Sequence, residues 1–210
     1  MSLIDSHMLT AVRMACAAYY TPTSSDDLRD YLTKNGLTGI VQAHSAGNGA
    51  SCQLVEFDDM DAVAIRGTEP NDISDLRHDA DVWPTSVDSP FDAPGKVHRG
   101  FYEYAYRIYT YPLNSAGLTV EDLAHKAEKP VIITGHSLGA AAAVHIAAWA
   151  GEILQRRGKP LPSLYMVGCP NVANAEYCEY VNSRVAKAFS IVNHRDPVTL
   201  APMLFSTIWP

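Results

Sequence analysis

Apolar positions near the start of the chain recur at the spacing of an α-helix. This pattern predicts an amphipathic packing helix over residues 5–20 and a shorter helix over residues 25–35 that ends at Gly36. The apolar stripe of the first helix consists of Leu9, Val12, Ala15, Cys16 and Tyr19. Residues 100–111 carry an aromatic stripe at the same spacing, which we interpret as core packing rather than as a cofactor site. This stripe consists of Phe101, Tyr104, Ala105 and Ile108.

Six short apolar runs elsewhere in the chain have the length and the β-branched content of buried strands. They cover residues 39–43, 52–57, 62–65, 131–134, 164–167 and 188–193. Helices predicted over residues 137–157 and 175–185 separate the last three strands, and the sequence Gly47-Asn48-Gly49 predicts a hairpin turn. Strands that alternate with helices indicate an α/β fold with a mostly parallel central sheet.

The length and composition fit one domain over residues 1–210. A chain of 210 residues buries one sizeable core, and no shift in composition marks a linker. The formal net charge of −7 argues against a nucleic-acid partner, which requires clustered Lys and Arg. No apolar run approaches the roughly 18 residues of a membrane span. Because the N-terminus shows no secretory signal, we expect a cytoplasmic location or export by a non-classical route.

The four cysteines lack the spacing of a metal site. They are Cys16, Cys52, Cys169 and Cys178. Without a visible export signal we expect them to be mostly reduced core residues, and a disulfide remains the alternative.

One segment joins a β-branched run to a G-x-S-x-G pentad and then to an alanine-rich helix. The pentad is residues 135–139, Gly-His-Ser-Leu-Gly, with Ser137 at its centre. A strand-to-helix turn of this kind, a nucleophile elbow, presents a serine oxygen to a base and a backbone N–H to a developing oxyanion. Only about 0.07 such pentads are expected by chance in a chain of this length. We therefore predict that Ser137 is a catalytic nucleophile.

A serine hydrolase also needs an acid that orients its base and donors for the oxyanion. Asp196 follows a β-branched strand, where this fold places the acid, although a surface turn aspartate before proline is the alternative. The backbone N–H of Leu138 supplies one predicted oxyanion donor. Thr68, after the strand-end sequence Ala64-Ile65-Arg66-Gly67, supplies the other, and the alternative there is a plain glycine turn.

Segments spread over most of the chain resemble the class 3 lipase family of α/β-hydrolases, which includes fungal triacylglycerol lipases and feruloyl esterases. They are Arg66-Gly67-Thr68, residues 97–101 (VHRGF), the elbow 135–139 (GHSLG), residues 167–172 (VGCPNV) and residues 193–198 (NHRDPV). The resemblance implies a single α/β-hydrolase domain with Ser137 as nucleophile, Asp196 as acid, and Thr68 with Leu138 as oxyanion hole. It implies no metal or organic cofactor. Two residues depart from the family pattern. Asn171 stands where the family often has arginine, and Leu76 stands near the position where the family often has tryptophan.

The resemblance also implies a substrate class, a lipid or other acyl ester bound with transient contact to a lipid surface. Three alternatives stay open: a feruloyl-type or short-chain esterase, a phospholipase, and a catalytically inactive hydrolase-fold binding module. Head-group preference resides in loops, which the sequence pattern does not resolve.

The histidine base is not identified by the sequence. The chain order of this fold is Ser, Asp, His, yet all eight histidines lie at or before His194. His98 and His194 are the remaining candidates. His194 lies only two residues before Asp196, which leaves it little room to bridge from Asp196 to Ser137. Residues 197–210 are uncharged and strongly apolar, so we expect that the native protein continues past Pro210 and supplies its base there.

Family members carry a lid after the oxyanion residue, here residues 69–84, and this segment is unusually acidic. Its acidic side chains are Glu69, Asp72, Asp75, Asp79 and Asp81. Its apolar side chains are Ile73, Leu76, Ala80, Val82 and Trp83. These leave no broad apolar face to bind an oil droplet, although a solvated acidic loop without a gating role is the alternative.

We therefore predict weak interfacial activation. Ester hydrolysis measured across the solubility limit of the substrate is expected to rise smoothly, because little apolar lid surface is gained by contact with the droplet. A sharp jump in rate when the emulsion appears would contradict this prediction.

Overall fold

The computed structural model of the protein describes residues 7–45, 51–67, 84–88 and 90–192. Its strands are β1 (Ile40–Ser45), β2 (Cys52–Glu56), β3 (Asp61–Ile65), β4 (Pro84–Val87), β5 (Ala93–His98), β6 (Val131–His136), β7 (Ser163–Val167) and β8 (Lys187–Ile191). Its helices are α1 (Met8–Ala17), α2 (Ser25–Lys34), α3 (Arg99–Thr110), α4 (Val120–Lys126), α5 (Leu138–Arg156) and α6 (Ala175–Asn182). The predicted hairpin turn at residues 47–49 and the predicted lid up to residue 83 lie outside the described residues.

Six of the strands form one central sheet in the order β1-β2-β3-β6-β7-β8. β1 and β2 pair antiparallel with their neighbours, whereas β3, β6, β7 and β8 run parallel. The carboxyl ends of these parallel strands meet at one edge, with Ile65 opposite Gly135 and His136 opposite Val167. The predicted mostly parallel sheet is confirmed, and this edge is where an open α/β sheet places its ligand site.

Two separate apolar clusters cover the two faces of the sheet. On one face α1 and α2 pack against Ala62, Ala64 and Ile132. On the other, α5 forms the centre of the larger cluster, and its Trp149 is fully buried together with Tyr109 of α3. Nearly every residue of α5 is buried, so its run of alanines lies in the core, where small side chains permit close contact with the sheet. No helix in the described part of the chain is long and apolar enough to cross a membrane.

The first helix differs from its predicted apolar stripe. Leu9 is 57% exposed and Cys16 is also exposed, whereas Ala11 and Met14 are completely buried. The alanines of α1 allow a close approach to the sheet, where the Thr134 hydroxyl donates to the Ala11 carbonyl oxygen at 3.1 Å. Alanines lie on two adjacent faces of α1, so the sequence does not decide which face is buried. In the structure the face with Ala11 and Met14 packs against β6.

The boundaries of the other predicted helices agree with the structure to within a few residues. The Ser24 side chain accepts a hydrogen bond from the Asp27 N–H and begins α2, and Gly36 follows its end with φ of +73°. The sequence pattern missed α4, although Thr119 and Asp122 form a capping box at its start. It also missed the two-stranded sheet of β4 and β5, because neither short strand alternates in polarity.

The cysteine expectation is correct in part. All four cysteines are free thiols. Cys52 is buried in β2. Cys169 is partly exposed as a residue, but its thiol group is largely removed from water, which raises the pKa of the thiol to about 12. Cys16 and Cys178 are exposed and are not core residues, because each lies on the outward face of an amphipathic helix.

A buried histidine joins α5 to α6. His145 is completely buried, and its Nδ1 lies 2.8 Å from the hydroxyl oxygen of Tyr177, which is itself buried. Burial lowers the pKa of His145 from 6.5 to about 3, with a further contribution from nearby His98. The folded protein therefore keeps His145 neutral over a pH range in which the unfolded chain takes up a proton.

This pKa difference predicts a pH dependence of stability. As pH falls from about 6.5 towards 3, protonation of the unfolded chain lowers the free energy of unfolding by up to about 1.4 kcal/mol per pH unit. The double variant His145→Phe/Tyr177→Phe removes both polar partners together, so we expect a shallower pH dependence between pH 6.5 and 5. Urea unfolding followed by circular dichroism at each pH measures the slope.

The control for this experiment is His125→Gln on α4. The His125 side chain is 57% exposed and lies 4.0 Å from the Glu121 carboxylate, and an exposed pair of this kind contributes little to stability. Its variant is expected to keep the wild-type slope. Equal slopes for the wild type and the double variant would rule out His145 as the source of the pH dependence.

Candidate active site

The turn between β6 and α5 places Ser137 in a strained backbone conformation. Ser137 has φ of 55° and ψ of −122°, and it is the only non-glycine residue with positive φ in the described part of the chain. Its N–H donates to the Val167 carbonyl oxygen at 3.0 Å, which ties the turn to the end of β7. A backbone conformation of this kind costs about 1–3 kcal/mol, and such strain is concentrated at functional sites.

The helix α5 begins directly after Ser137. The Ser137 carbonyl oxygen accepts hydrogen bonds from the N–H groups of Ala140 at 2.9 Å and Ala141 at 3.1 Å. The N–H of Leu138 lies in the first turn, where backbone donors have no acceptor within the helix. The positive end of the helix dipole also points to this turn. A negative charge placed beside Ser137 would therefore be stabilised by the backbone itself.

Two glycines allow the end of β3 to contact the turn. A Cβ atom on Gly139 would lie 2.3 Å from the Ile65 carbonyl oxygen, and one on Gly67 would lie 2.4 Å from the His136 carbonyl oxygen. Any larger residue at these positions would separate the two backbones. The chain leaving β3 towards Thr68 is thus held against the first turn of α5.

The structure brings together only some of the residues that the sequence predicts for the site. Ser137 is 3% exposed and stands in the turn directly before Leu138, the first residue of α5. Thr68, His194 and Asp196 lie outside the described residues. The last described strand before Asp196 ends at this edge, because the Gly168 N–H donates to the Ile191 carbonyl oxygen at 2.9 Å.

His98, a candidate base, lies at the junction of β5 and α3. It is completely buried, and its ring stacks on Phe101 with centroids 4.0 Å apart. Its backbone N–H donates to the Val172 carbonyl oxygen at 2.9 Å, and its neighbour Val97 pairs with Ala173. The segments 97–101 and 167–172 therefore meet each other in the fold.

Two tyrosines that the sequence pattern assigned to packing contact the site through their hydroxyl groups. The Tyr19 hydroxyl oxygen lies 2.7 Å from Nδ1 of His136, the residue before Ser137. The Tyr104 hydroxyl donates to the Arg66 carbonyl oxygen at 2.8 Å, and burial raises the pKa of Tyr104 to about 12. Apolar periodicity does not separate tyrosine from phenylalanine, so the sequence carried no signal for either contact.

A protein-ligated metal is not suggested by the described residues. No group of three or more His, Cys, Asp or Glu side chains lies close enough to hold an ion in that part of the chain. What the site offers is a serine hydroxyl, backbone N–H donors and the end of a neighbouring strand.

A family model described as Lipase (class 3) matches residues 62–206. A secreted mono- and diacylglycerol lipase of Malassezia globosa is 30% identical over 146 residues, which are 67% of this chain and 46% of the relative. A second such lipase of the same organism is 30% identical over 187 residues, or 84% of this chain and 59% of the relative. The chain spans about half the length of these curated relatives.

The fold is also found among solved structures. The structure of a triacylglycerol lipase, described as having a serine protease triad at its catalytic centre, superposes with a TM-score of 0.71. The two sequences are 22% identical, and the superposition covers 95% of this chain and 75% of that one. At this identity the likeness establishes the fold, and the family model extends over most of the sequence. The chain belongs to the class 3 lipase family.

Proposed function

We propose that this chain carries the nucleophile of a serine-dependent carboxylic ester hydrolase that acts on acylglycerol-type lipid esters through an acyl-enzyme. The observation that carries the proposal is the strained conformation of Ser137 at the start of α5. That conformation costs about 1–3 kcal/mol for a residue other than glycine. A nucleophile that must face a base and an oxyanion donor accounts for it.

The proposed reaction begins when the Ser137 hydroxyl oxygen attacks the ester carbonyl carbon and its proton passes to the base. The carbonyl oxygen becomes an oxyanion, for which Leu138 N–H and Thr68 are the proposed donors. The base then returns the proton to the leaving alcohol as the ester C–O bond breaks, which leaves an acyl group on Ser137. Water, deprotonated by the same base, hydrolyses this acyl-enzyme and restores the serine.

Asp196 is the proposed acid that orients the base, because it follows the strand next to β7 at the edge where Ser137 lies. No residue of this chain is proposed as the base. His98 is less favoured as the base because its ring is completely buried and stacked on Phe101. His194 keeps the difficulty that it lies two residues from the acid.

Acylglycerols are the favoured substrates because both Malassezia globosa relatives are named mono- and diacylglycerol lipases. The feruloyl-type or short-chain esterase and the phospholipase remain alternatives that differ in acyl length and head group. The names of these relatives also state that they are secreted, which favours export over a cytoplasmic location for this protein.

The first test is the substitution Ser137→Ala in the full-length gene product. We expect hydrolysis of p-nitrophenyl butyrate to fall by about 10³-fold or more, because the acyl-enzyme no longer forms. A fluorophosphonate probe is expected to label the wild type and not the variant. The matched control is Ser163→Ala at the start of β7, which should keep both activity and labelling.

Equal activity in the Ser137→Ala variant and the wild type would overturn the mechanism. Failure of the probe to label a folded wild type, with no hydrolysis, would instead favour the inactive binding module.

A second test compares acyl chains and head groups. We expect diacylglycerol and monoacylglycerol with long acyl chains to give higher kcat/KM than p-nitrophenyl acetate, methyl ferulate or phosphatidylcholine, since long chains contribute binding energy that a small ester lacks. Released acid is measured by titration at constant pH. A preference for methyl ferulate or for short chains would identify an esterase, and a preference for phosphatidylcholine a phospholipase.

A further inference from the structure

Two tyrosine hydroxyl groups lie against the same short piece of backbone, Arg66-Gly67, and the helices next to or carrying these tyrosines pack on opposite faces of the central sheet. Tyr19 follows α1, which packs on one face. Tyr104 belongs to α3, which packs in the cluster on the other face. The backbone between them leads directly to Thr68, the proposed oxyanion donor, and lies against the turn that carries Ser137.

The Tyr104 contact acts on the Arg66 peptide. Its hydroxyl donates to the Arg66 carbonyl oxygen at 2.8 Å and also bonds with the backbone of Ser51. The Arg66 N–H donates to the Ser51 carbonyl oxygen at 3.0 Å, so both backbone polar groups of Arg66 are hydrogen-bonded just after β3 ends. A phenyl ring would fill the same space in the aromatic stripe of α3. The hydroxyl is therefore used for fixing the backbone rather than for packing.

The Tyr19 contact acts on Gly67 and on the elbow together. Its hydroxyl oxygen lies 2.7 Å from His136 Nδ1, and a Cβ atom added to Gly67 would lie 2.4 Å from that same oxygen. The two rings meet edge to face with centroids 5.6 Å apart. One hydroxyl therefore sets the spacing between the residue before Ser137 and the residue before Thr68.

We infer that Tyr19 and Tyr104 are positioning residues that fix the backbone of Arg66 and Gly67, directly before the proposed donor, relative to Ser137. The inference rests on the proposed function. Neither hydroxyl touches substrate; each acts through the backbone at residues 66 and 67. Oxyanion donors stabilise charge that exists only in the transition state, so a loosened donor lowers kcat and leaves ground-state binding nearly unchanged.

The chain offers a matched control for each tyrosine. Tyr109 lies on α3 like Tyr104 and is completely buried, and its hydroxyl has no hydrogen-bond partner among the described residues. Tyr20 is the neighbour of Tyr19, and its hydroxyl donates to Asp27 at 2.7 Å, away from the elbow. Replacing any of the four by phenylalanine removes one oxygen atom and keeps the ring.

The test measures kcat and KM for p-nitrophenyl butyrate in the full-length gene product carrying each Tyr→Phe substitution. We expect Tyr19→Phe and Tyr104→Phe to lower kcat about 10-fold with KM changed less than twofold, a smaller effect than loss of a donor itself. Tyr109→Phe and Tyr20→Phe are expected to keep the wild-type kcat. The melting temperature of each variant reports whether the fold is intact.

A boronic acid inhibitor supplies a second measurement that a purely structural role would not change. Butylboronic acid adds reversibly to a serine hydroxyl oxygen and forms a tetrahedral anion that resembles the transition state. Its inhibition constant is expected to rise about 10-fold in Tyr19→Phe and Tyr104→Phe, in parallel with the loss in kcat/KM.

The outcomes separate this inference from the proposed function. If Ser137→Ala abolishes activity while Tyr19→Phe and Tyr104→Phe behave like their controls, the positioning role is wrong and the nucleophile stands. A rise in KM alone, or a loss of kcat that only follows a lost folded fraction, also overturns the positioning role. If Ser137→Ala keeps full activity, the proposed function fails first.

Discussion

The architecture of the site depends on direct backbone contact between the end of β3 and the first turn of α5. At Gly139 and Gly67 the two segments approach so closely that a single Cβ atom on either would lie within 2.4 Å of a carbonyl oxygen. The contact itself is made by backbone atoms, and the hydroxyl groups of Tyr19 and Tyr104 lie beside it. The spacing between the strand end and the helix start is thus set by covalent geometry and hydrogen bonds, which is what a preorganised oxyanion site requires.

The helix α5 must be firmly anchored for that contact to hold, and its burial provides the anchor. Trp149 and the alanines of α5 are removed from water, and full burial of one large apolar side chain contributes about 1.5–3 kcal/mol. His145 connects α5 to Tyr177 of α6. The Asn174 side chain, which begins α6, also accepts from the N–H of Lys96 in β5 at 3.0 Å. The sheet of β4 and β5, α6 and α5 are therefore linked by side-chain hydrogen bonds, and together they hold the helix that follows the elbow in place.

The sequence predicted the parts of the fold that depend on local pattern. The helix after Ser24 has a clear N-cap, the strand over residues 131–134 is a continuous β-branched run, and the structure places both where the sequence predicts them. The face of α1 was not predictable, because alanine fits equally well on several sides of a helix and only the approach to the sheet decides among them. The contacts of Tyr19 and Tyr104 join residues 117 and 38 positions apart. A local sequence pattern carries no information about contacts between residues so far apart in the sequence.

The strain at Ser137 links stability to the proposed chemistry. A glycine at this position would relieve a conformation that costs about 1–3 kcal/mol, yet it would remove the hydroxyl for which the conformation is suited. The fold tolerates the strain because the neighbouring backbone groups are already bound: the Ser137 N–H to Val167, and its carbonyl oxygen to the first turn of α5. A change of the Ser137 backbone to an unstrained conformation would break these hydrogen bonds. The strained serine is therefore held by the same hydrogen bonds that align β7, β6 and α5, so the site cannot loosen without cost to the sheet.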